Sequence, residues 1–492
     1  MKKKLILLML VTLVSLSIFA EGTNEYQSFE VATSSKPAKN IILLIGDGMS
    51  VAQVATTDAY LGAKEHQFLT TLNFENFEHQ GLTTTYAEDR LITDSAAAGT
   101  ALATGSKTYC GAISVDSNRN NLKTILDYAQ DLDKSTGIVT TTRVTHATPA
   151  VFLANNVDRD AENEIAVDEA YSGVDFLAGG GYRNFVGKTN ASNLKSKRTD
   201  NRDLIEEMKK MGYKAFISES DTQAFLNYNP QLGDKIVGLF GSSHLDYAID
   251  KANQPTLAQL TDKAIKTLSK DNDGFFLMVE GGRIDHACHA NDAVSAIDDT
   301  IAFEEAVQIA IDYYNKDPKN TLIIVTGDHE TGGLTLGFAG TEYESAYSQL
   351  QNQKISYEKY GSDIFSKYKA SHTLANCNLN DLTDDLDNYF GLTNLNDDEK
   401  VELSDALKRS IAGEVIKGTQ TVDYLLYGGY EPFIMEITHI LNQRAGVAFT
   451  SYSHTAVPVA TYAIGPYSEK VTGMFDNTDI FTIMYNAMGI TN

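Results

Sequence analysis

Basic residues are in short supply in this chain of 492 residues: 40 Lys and Arg face 65 Asp and Glu, a formal net charge of −25. Electrostatic binding of nucleic acid needs a basic face to meet phosphates, so that class of function is excluded. Phosphate chemistry at a local site is not, because bound metal ions supply positive charge where side chains do not. Cysteine is scarce too. Cys110, Cys288 and Cys377 are odd in number and far apart, which excludes a disulfide framework and leaves stability to the core, metals and assembly. Beyond residues 5–19 no apolar run suggests a membrane span. That run follows Met1-Lys2-Lys3-Lys4, is short for a spanning helix, and stops near Ala20 before the polar Glu21-Gly22-Thr23-Asn24. It reads as an export signal over 1–20, which places the mature chain in the periplasm or outside the cell, with no stable membrane span.

What is present is globular. Hydrophobic residues make up 42% and charged residues 21%, enough for a sizeable core. After a polar leader over 21–38, residues 40–45 form a β-branched apolar run of the kind buried on both faces of a parallel sheet. It ends in Gly46-Asp47-Gly48, a turn that delivers Asp47 to the carboxyl edge, where open α/β sheets bind ligands. Similar strands are expected at 137–141, 275–279, 321–326 and 458–463, with helices at 256–269, 292–314, 399–416 and 479–488. Strands alternating with helices predict a three-layer α/β/α sandwich around a mostly parallel sheet. The catalytic domain is expected over 39–334 and 451–492. The polar, Asn- and Tyr-rich stretch 335–450 reads as an insertion on one face.

Most of these strands run out into acidic residues or histidine. Asp285 and His289 are spaced i, i+4, so on a helix they share a face and can grip one ion; imidazole nitrogen and carboxylate oxygen suit Zn²⁺. The same spacing also describes a surface pair. Asp328-His329 follows a strand, and Asp47, Glu280 and His454 add further ligand types in turn-like settings. Ser95 precedes an alanine run, at or near a helix N-terminus. An N-cap and a metal-activated nucleophile both fit that position. Arg159 offers a fork that matches two phosphate oxygens, and equally a partner for Asp158 or Asp160. Cys288, beside His289, reads as a packing residue.

The chain resembles the alkaline phosphatase family. The likeness rests on Ile45-Gly46-Asp47-Gly48-Met49, Thr93-Asp94-Ser95-Ala96, Ala147-Thr148-Pro149-Ala150, Val279-Glu280-Gly281 leading to Asp285 and His289, Thr326-Gly327-Asp328-His329, and Ser453-His454-Thr455. It implies hydrolysis of phosphate monoesters through a phosphoserine at Ser95, with Arg159 clamping the phosphoryl oxygens. It implies two Zn²⁺ and one Mg²⁺: one zinc on Asp285, His289 and His454, another on Asp328 and His329, Asp47 bridging to magnesium, and Thr148 and Glu280 completing the magnesium's protein ligands. His146 and His286 stand near the third metal and the phosphate where the enteric bacterial enzymes carry Asp and Lys, a pairing similar to the animal and some marine bacterial enzymes. Homodimers are common in the family, so 335–450 is expected to form a crown-like or dimer-bridging element, with Tyr424, Leu425, Leu426 and Tyr427 as contact candidates. Related two-zinc phosphodiesterases and nucleotide pyrophosphatases usually use Thr as nucleophile and lack the magnesium set and the arginine, so Ser95, Thr148, Glu280 and Arg159 favour a monoesterase. The C/S-x-P-x-R pattern of sulfatases does not surround Ser95. An intact nucleophile with a full ligand set argues against a catalytically dead binding protein.

Overall fold

The computed structural model describes residues 36–490 except 252 and 415–417. The expected signal and the leader as far as residue 35 lie outside the described residues. Fourteen strands are described: β1 (Asn40–Gly46), β2 (His79–Thr84), β3 (Ser135–Arg143), β4 (Phe176–Gly180), β5 (Tyr213–Ile217), β6 (Lys235–Leu239), β7 (Phe275–Gly281), β8 (Thr321–Gly327), β9 (Glu330–Thr331), β10 (Thr335–Leu336), β11 (Val447–Ala448), β12 (His454–Thr455), β13 (Val459–Ile464) and β14 (Gly473–Asp476). Ten of them form one sheet in the order β14-β2-β13-β8-β1-β7-β3-β4-β6-β5. Its pairings are parallel except for β13, which runs antiparallel to both neighbours, β2 and β8.

The centre of the sheet is buried on both faces because its strands are apolar throughout. In β1, Ile42 and Leu44 join one hydrophobic core, while Ile41, Leu43 and Ile45 join the other. This is the period-two alternation of a strand between two helical layers. One layer is built on helices Val51–Lys64, Leu257–Leu268 and Ala293–Tyr314, the other on Ser95–Thr104, Ile125–Asp131, Glu162–Tyr171 and Asn477–Ala487. The expected three-layer α/β sandwich is therefore the observed one.

Register sets the position of the site. Ile45 pairs with Glu280 of β7 and with Thr326 of β8, and Gly46 with Gly281 and Gly327. Three adjacent strands thus end level, which brings Asp47, Glu280 and Asp328 to one carboxyl edge. The turn after β1 needs glycine: Gly48 has φ +72°, and a Cβ there would lie 2.9 Å from Asp285 Cα.

The stretch after β10 leaves at Thr335 and Leu336 and returns at Val447 and Ala448, which pair antiparallel and close its base. Among the described residues between them none joins the ten-stranded sheet, yet Leu403, Phe433, Met435 and Ile437 are buried in the same core as Ile42 and Leu44. Its long helix is Asp397–Ala412, not 399–416. Asn396 caps its start, and Gly413, in the left-handed conformation at φ 66°, ends it; residues 415 and 416 of the expected span lie outside the described residues. Of the contact candidates, Tyr427 is buried in the segment's own packing, whereas Leu425 and Leu426 are exposed. β13 begins one residue later than expected, since Pro458 has no N–H for the ladder. All three cysteines are free, and Cys288 is fully buried in the core. Among the described residues, no helix is long and apolar enough to cross a membrane.

Candidate active site

Three groups of side chains at the carboxyl edge bring ligand atoms within 4.8 Å of one another: Asp285, His289 and His454; Asp47, Asp285 and His329; and Asp47, His146 and Glu280. Helix Arg283–His289 follows β7 almost at once, so Asp285 and His289 are turned onto one face. The short ladder β9–β12 pairs His454 with Thr331, which brings a residue from beyond the 335–450 excursion next to His329. The His329 and His454 rings stack at 3.6 Å between centroids.

Backbone carbonyls fix the tautomers in the first group. His289 Nδ1 donates to Tyr452 O at 2.7 Å, and His454 Nδ1 to Thr93 O at 2.8 Å. Both Nε2 atoms therefore point inward. They lie 3.1 Å apart and at 3.3 and 3.5 Å from Asp285 Oδ1. Such an arrangement suits a cation, and hydrogen bonding from the far ring nitrogen is the usual way to orient a metal-binding imidazole. Burial opposes charge on His289, but Asp285 and the Tyr452 carbonyl outweigh it and push the imidazole up to about 9. Burial likewise opposes charge on Asp285, but His289, His454 and His329 hold it well below the usual carboxylate range.

In the second group Thr331 is the organiser. Its hydroxyl donates to Asp285 Oδ1 at 2.6 Å and so accepts from His329 Nδ1 at 3.2 Å. His329 Nε2 is then left as a lone pair, 3.4 Å from Asp47 Oδ1, 3.5 Å from Asp328 Oδ2 and 3.1 Å from Ser95 Oγ. Asp328 is oriented by backbone: its Oδ1 accepts from Gly48 N–H and from its neighbour His329 N–H. Glu330, also buried, accepts from Gln53, Gly333, Leu334 and Thr455 and ties the ladder to helix Val51–Lys64.

In the third group Thr148 Oγ1 donates to Asp47 Oδ2 at 3.3 Å, while Glu280 Oε2 accepts from Thr140 and Thr142. Arg159 Nη2 donates to His146 Nε2 at 3.2 Å, which puts the ring proton on Nδ1, facing Asp47 Oδ2 at 3.9 Å. His146 thereby presents a donor to this group, and the oxygen ligands are Asp47, Thr148 and Glu280.

Four buried atoms at this edge have no hydrogen-bond partner: Asp47 Oδ1, Glu280 Oε1, Asp328 Oδ2 and His146 Nδ1. Burial and their mutual repulsion push Asp47 and Asp328 well above the usual carboxylate range, and burial raises Glu280 to about 7. Stranded, mutually repelling carboxylate oxygens are costly in a protein interior. Two or more cations among them would remove that cost, so the residues present fit a metal centre. Their chemistry is mixed: imidazole nitrogen with carboxylate in the first two groups suits zinc, and an all-oxygen set suits magnesium.

Ser95 is the first residue of helix Ser95–Thr104, not its cap. Asp94 takes that role, accepting from Ala97 N–H at 3.0 Å, and Ser95 Oγ is left free to face His329. The other oxygen of Asp94 accepts from Gly111 N–H and from Arg159 Nη1, both near 3 Å. Arg159 is thus anchored by the residue beside Ser95, and not by Asp158 or Asp160. The metal-ligand candidates expected from the sequence, with Ser95, Arg159 and His146, gather at this edge. His286 sits beside it, its ring 5.4 Å from His146 and 4.4 Å from His244. The motifs of the sequence do not single out Thr331, Glu330, Arg283 or His244; His244 lies in a Gly-Ser loop and is marked by its contacts with Arg143, His146 and His286.

Comparison with known proteins agrees with this geometry. The family model for alkaline phosphatase matches residues 38–490. Alkaline phosphatase 3 of Bacillus subtilis is 34% identical over 499 residues, covering 99% of this chain and 97% of that protein. The alkaline phosphatase of Escherichia coli is 33% identical over 341 residues, covering 59% and 71%. Among solved structures, that of Thermus thermophilus alkaline phosphatase superposes with a TM-score of 0.79 at 27% identity over 96% of each chain. The cold-active enzyme from a psychrophilic Shewanella gives 0.75 at 29% over 91% and 99%. With the family model spanning residues 38–490 and a curated relative 34% identical over nearly the whole of both chains, the chain belongs to the alkaline phosphatase family of metal-dependent phosphomonoesterases.

Proposed function

We propose that this protein hydrolyses phosphate monoesters through a phosphoserine at Ser95, in a site for two zinc ions and one magnesium ion. The observation that carries the reading is the position of Ser95. Its Oγ is 3.1 Å from the His329 Nε2 lone pair, at a helix N-terminus where the dipole favours negative charge. Asp285, His289 and His454 would hold one zinc, Asp328 and His329 the other, with Asp47 shared between the second and third groups; Thr148 and Glu280 would hold magnesium with Asp47. When bound, these cations supply Lewis acidity and offset the negative charge at phosphorus.

The chain's own part is positioning. Arg159, fixed through Asp94, offers guanidinium hydrogens to two non-bridging oxygens. Ser95 Oγ attacks phosphorus in line, the bond to the ester oxygen breaks, and the alcohol leaves with a proton. Water then attacks the phosphoserine, the Oγ–P bond breaks, and inorganic phosphate departs with Ser95 restored. Splitting one displacement into two lowers each barrier. Recognition centres on the phosphoryl group, so broad leaving-group tolerance follows.

By the same reading 39–334 and 451–492 form the catalytic domain, 335–450 serves as a crown-like or dimer-contact element of a homodimer, and the chain is exported behind a signal at 1–20. The discriminating experiment compares p-nitrophenyl phosphate with bis-p-nitrophenyl phosphate at alkaline pH, in wild type and Ser95→Ala, before and after chelation. Monoester preference, restoration by Zn²⁺ with Mg²⁺, and a phosphate adduct on the Ser95 peptide after acid quench are expected. Diester preference or indifference to Mg²⁺ overturns the reading.

A further inference from the structure

Arg283 is a buried cation that the reaction above does not use. It is 4% exposed, opens the helix that carries Asp285 and His289, and sits over the Tyr247 ring with its guanidinium carbon 3.7 Å from the centroid. Its Nη1 is 3.2 Å from His286 Nδ1, and its Nη2 is 2.5 Å from Glu358 Oε2. Guanidinium has donors and no acceptor. His286 Nδ1 must therefore accept, and the ring carries its proton on Nε2. A buried guanidinium in turn needs a carboxylate partner. Glu358 provides it from the 335–450 segment, on the short helix Tyr357–Lys359 that runs into a π-helical turn at Tyr360–Phe365. Stacking on Tyr247 prevents the guanidinium from swinging away.

We propose that Arg283 and Glu358 are positioning residues that hold His286 as an Nε2–H donor for the phosphoryl group, so that the 335–450 segment acts on phosphate affinity through a three-residue chain. The inference rests on the phosphomonoesterase reading for its consequence, not for its geometry. A histidine free to exchange tautomers would spend part of its time offering phosphate a lone pair, which repels it. Held as a donor, it offers a hydrogen bond to a phosphoryl oxygen or to a water bound there.

Two measurements test this. In the metal-loaded enzyme with ¹⁵N-labelled histidine, the His286 resonances are expected to show an unprotonated Nδ1 and a protonated Nε2, and Arg283→Met to show mixed tautomers. A protonated Nδ1 in wild type overturns the proposal whatever the activity. For the consequence, Glu358→Ala alters a side chain 56% exposed and leaves no cavity. It is expected to raise KM and the inhibition constant of inorganic phosphate together by about five-fold, the value of one hydrogen bond between neutral groups. Glu358→Gln, which keeps an acceptor for Arg283, should retain most of the wild-type phosphate affinity. In a His286→Ala background Glu358→Ala should add nothing, because the pair acts as one unit. Equal weakening with and without His286, or no weakening at all, overturns the proposal; absence of monoesterase activity in wild type would instead sink the functional reading while the NMR result stands.

Discussion

Adding zinc and magnesium to the metal-free protein is expected to expel protons, and the number can be worked from the site. Glu280 is raised to about 7 by burial, so at pH 6 it carries about 0.9 of a proton, which a cation must displace. His289 is raised to about 9, where Asp285 and the Tyr452 carbonyl outweigh its burial, and it carries about one more. Asp47 and Asp328 are raised in the same direction, first by burial and then by neighbouring carboxylates, Asp285 and Glu280 acting on both and Asp328 also on Asp47, and together they add up to about two. His329 and His454 are lowered by burial, so they hold less proton than ordinary imidazoles; Asp285 is held well below the usual carboxylate range. The sign is therefore definite. Release should be about two to four protons per site at pH 6, fall by about one by pH 8 as Glu280 ionises, and fall again above pH 9 as His289 does. The same linkage makes metal affinity climb with pH, most steeply at the acid end. Titration calorimetry in two buffers of different ionisation enthalpy reads the number directly. Release below about one proton at pH 6 would mean that these carboxylates and His289 are not the groups that meet the metals.

Gly48→Ala places a Cβ 2.9 Å from the Asp285 backbone at a positive φ; it should cost at least about 1 kcal/mol in strain and depress zinc affinity, and unchanged affinity by zinc titration would refute the role given to this turn. Thr331→Val keeps the shape but removes the hydroxyl that donates to Asp285 and accepts from His329. A loss of about 10- to 100-fold in metal affinity or kcat is expected, and values within about twofold would show that Thr331 only fills space. His286→Lys puts an ammonium near the phosphate position, so phosphate inhibition should tighten; a constant no tighter than wild type would show that charge at this position does not govern product retention.

Much of this fold is legible in the chain because the central strands are buried on both faces. Asn40–Gly46, Phe275–Gly281 and Thr321–Gly327 are fully buried, and a continuous apolar run is the direct signature of that environment. The outer strands are another matter. His79–Thr84 alternates between half-buried and exposed residues around Gly81, and Tyr213–Ile217 is an edge strand with only one buried residue. Their pairing depends on neighbours far away in sequence, which no local pattern records. The end of helix Asp397–Ala412 shows the opposite error. The expected span ran on to residue 416, but the left-handed Gly413 ends the helix at Ala412.

At the site, acids and histidines at strand ends are chemically conspicuous in the sequence, and the fold brings them together. The residues that set their protonation are not conspicuous. Thr331 looks like any β-branched residue in a turn, yet it decides which nitrogen of His329 faces Ser95. The carbonyls of Tyr452 and Thr93 have no side-chain signature at all, yet they turn both Nε2 atoms inward. Asp94 was visible only as a neighbour of Ser95, while in the fold it caps the helix and anchors Arg159 at once. An arginine held through the helix cap keeps a fixed distance from Ser95 on the same turn, so a change at Asp94 moves both together. Ligand identity is local information; tautomer, orientation and spacing belong to contacts between distant segments, and at this edge those contacts determine whether a cluster of acids and imidazoles can act as a phosphatase.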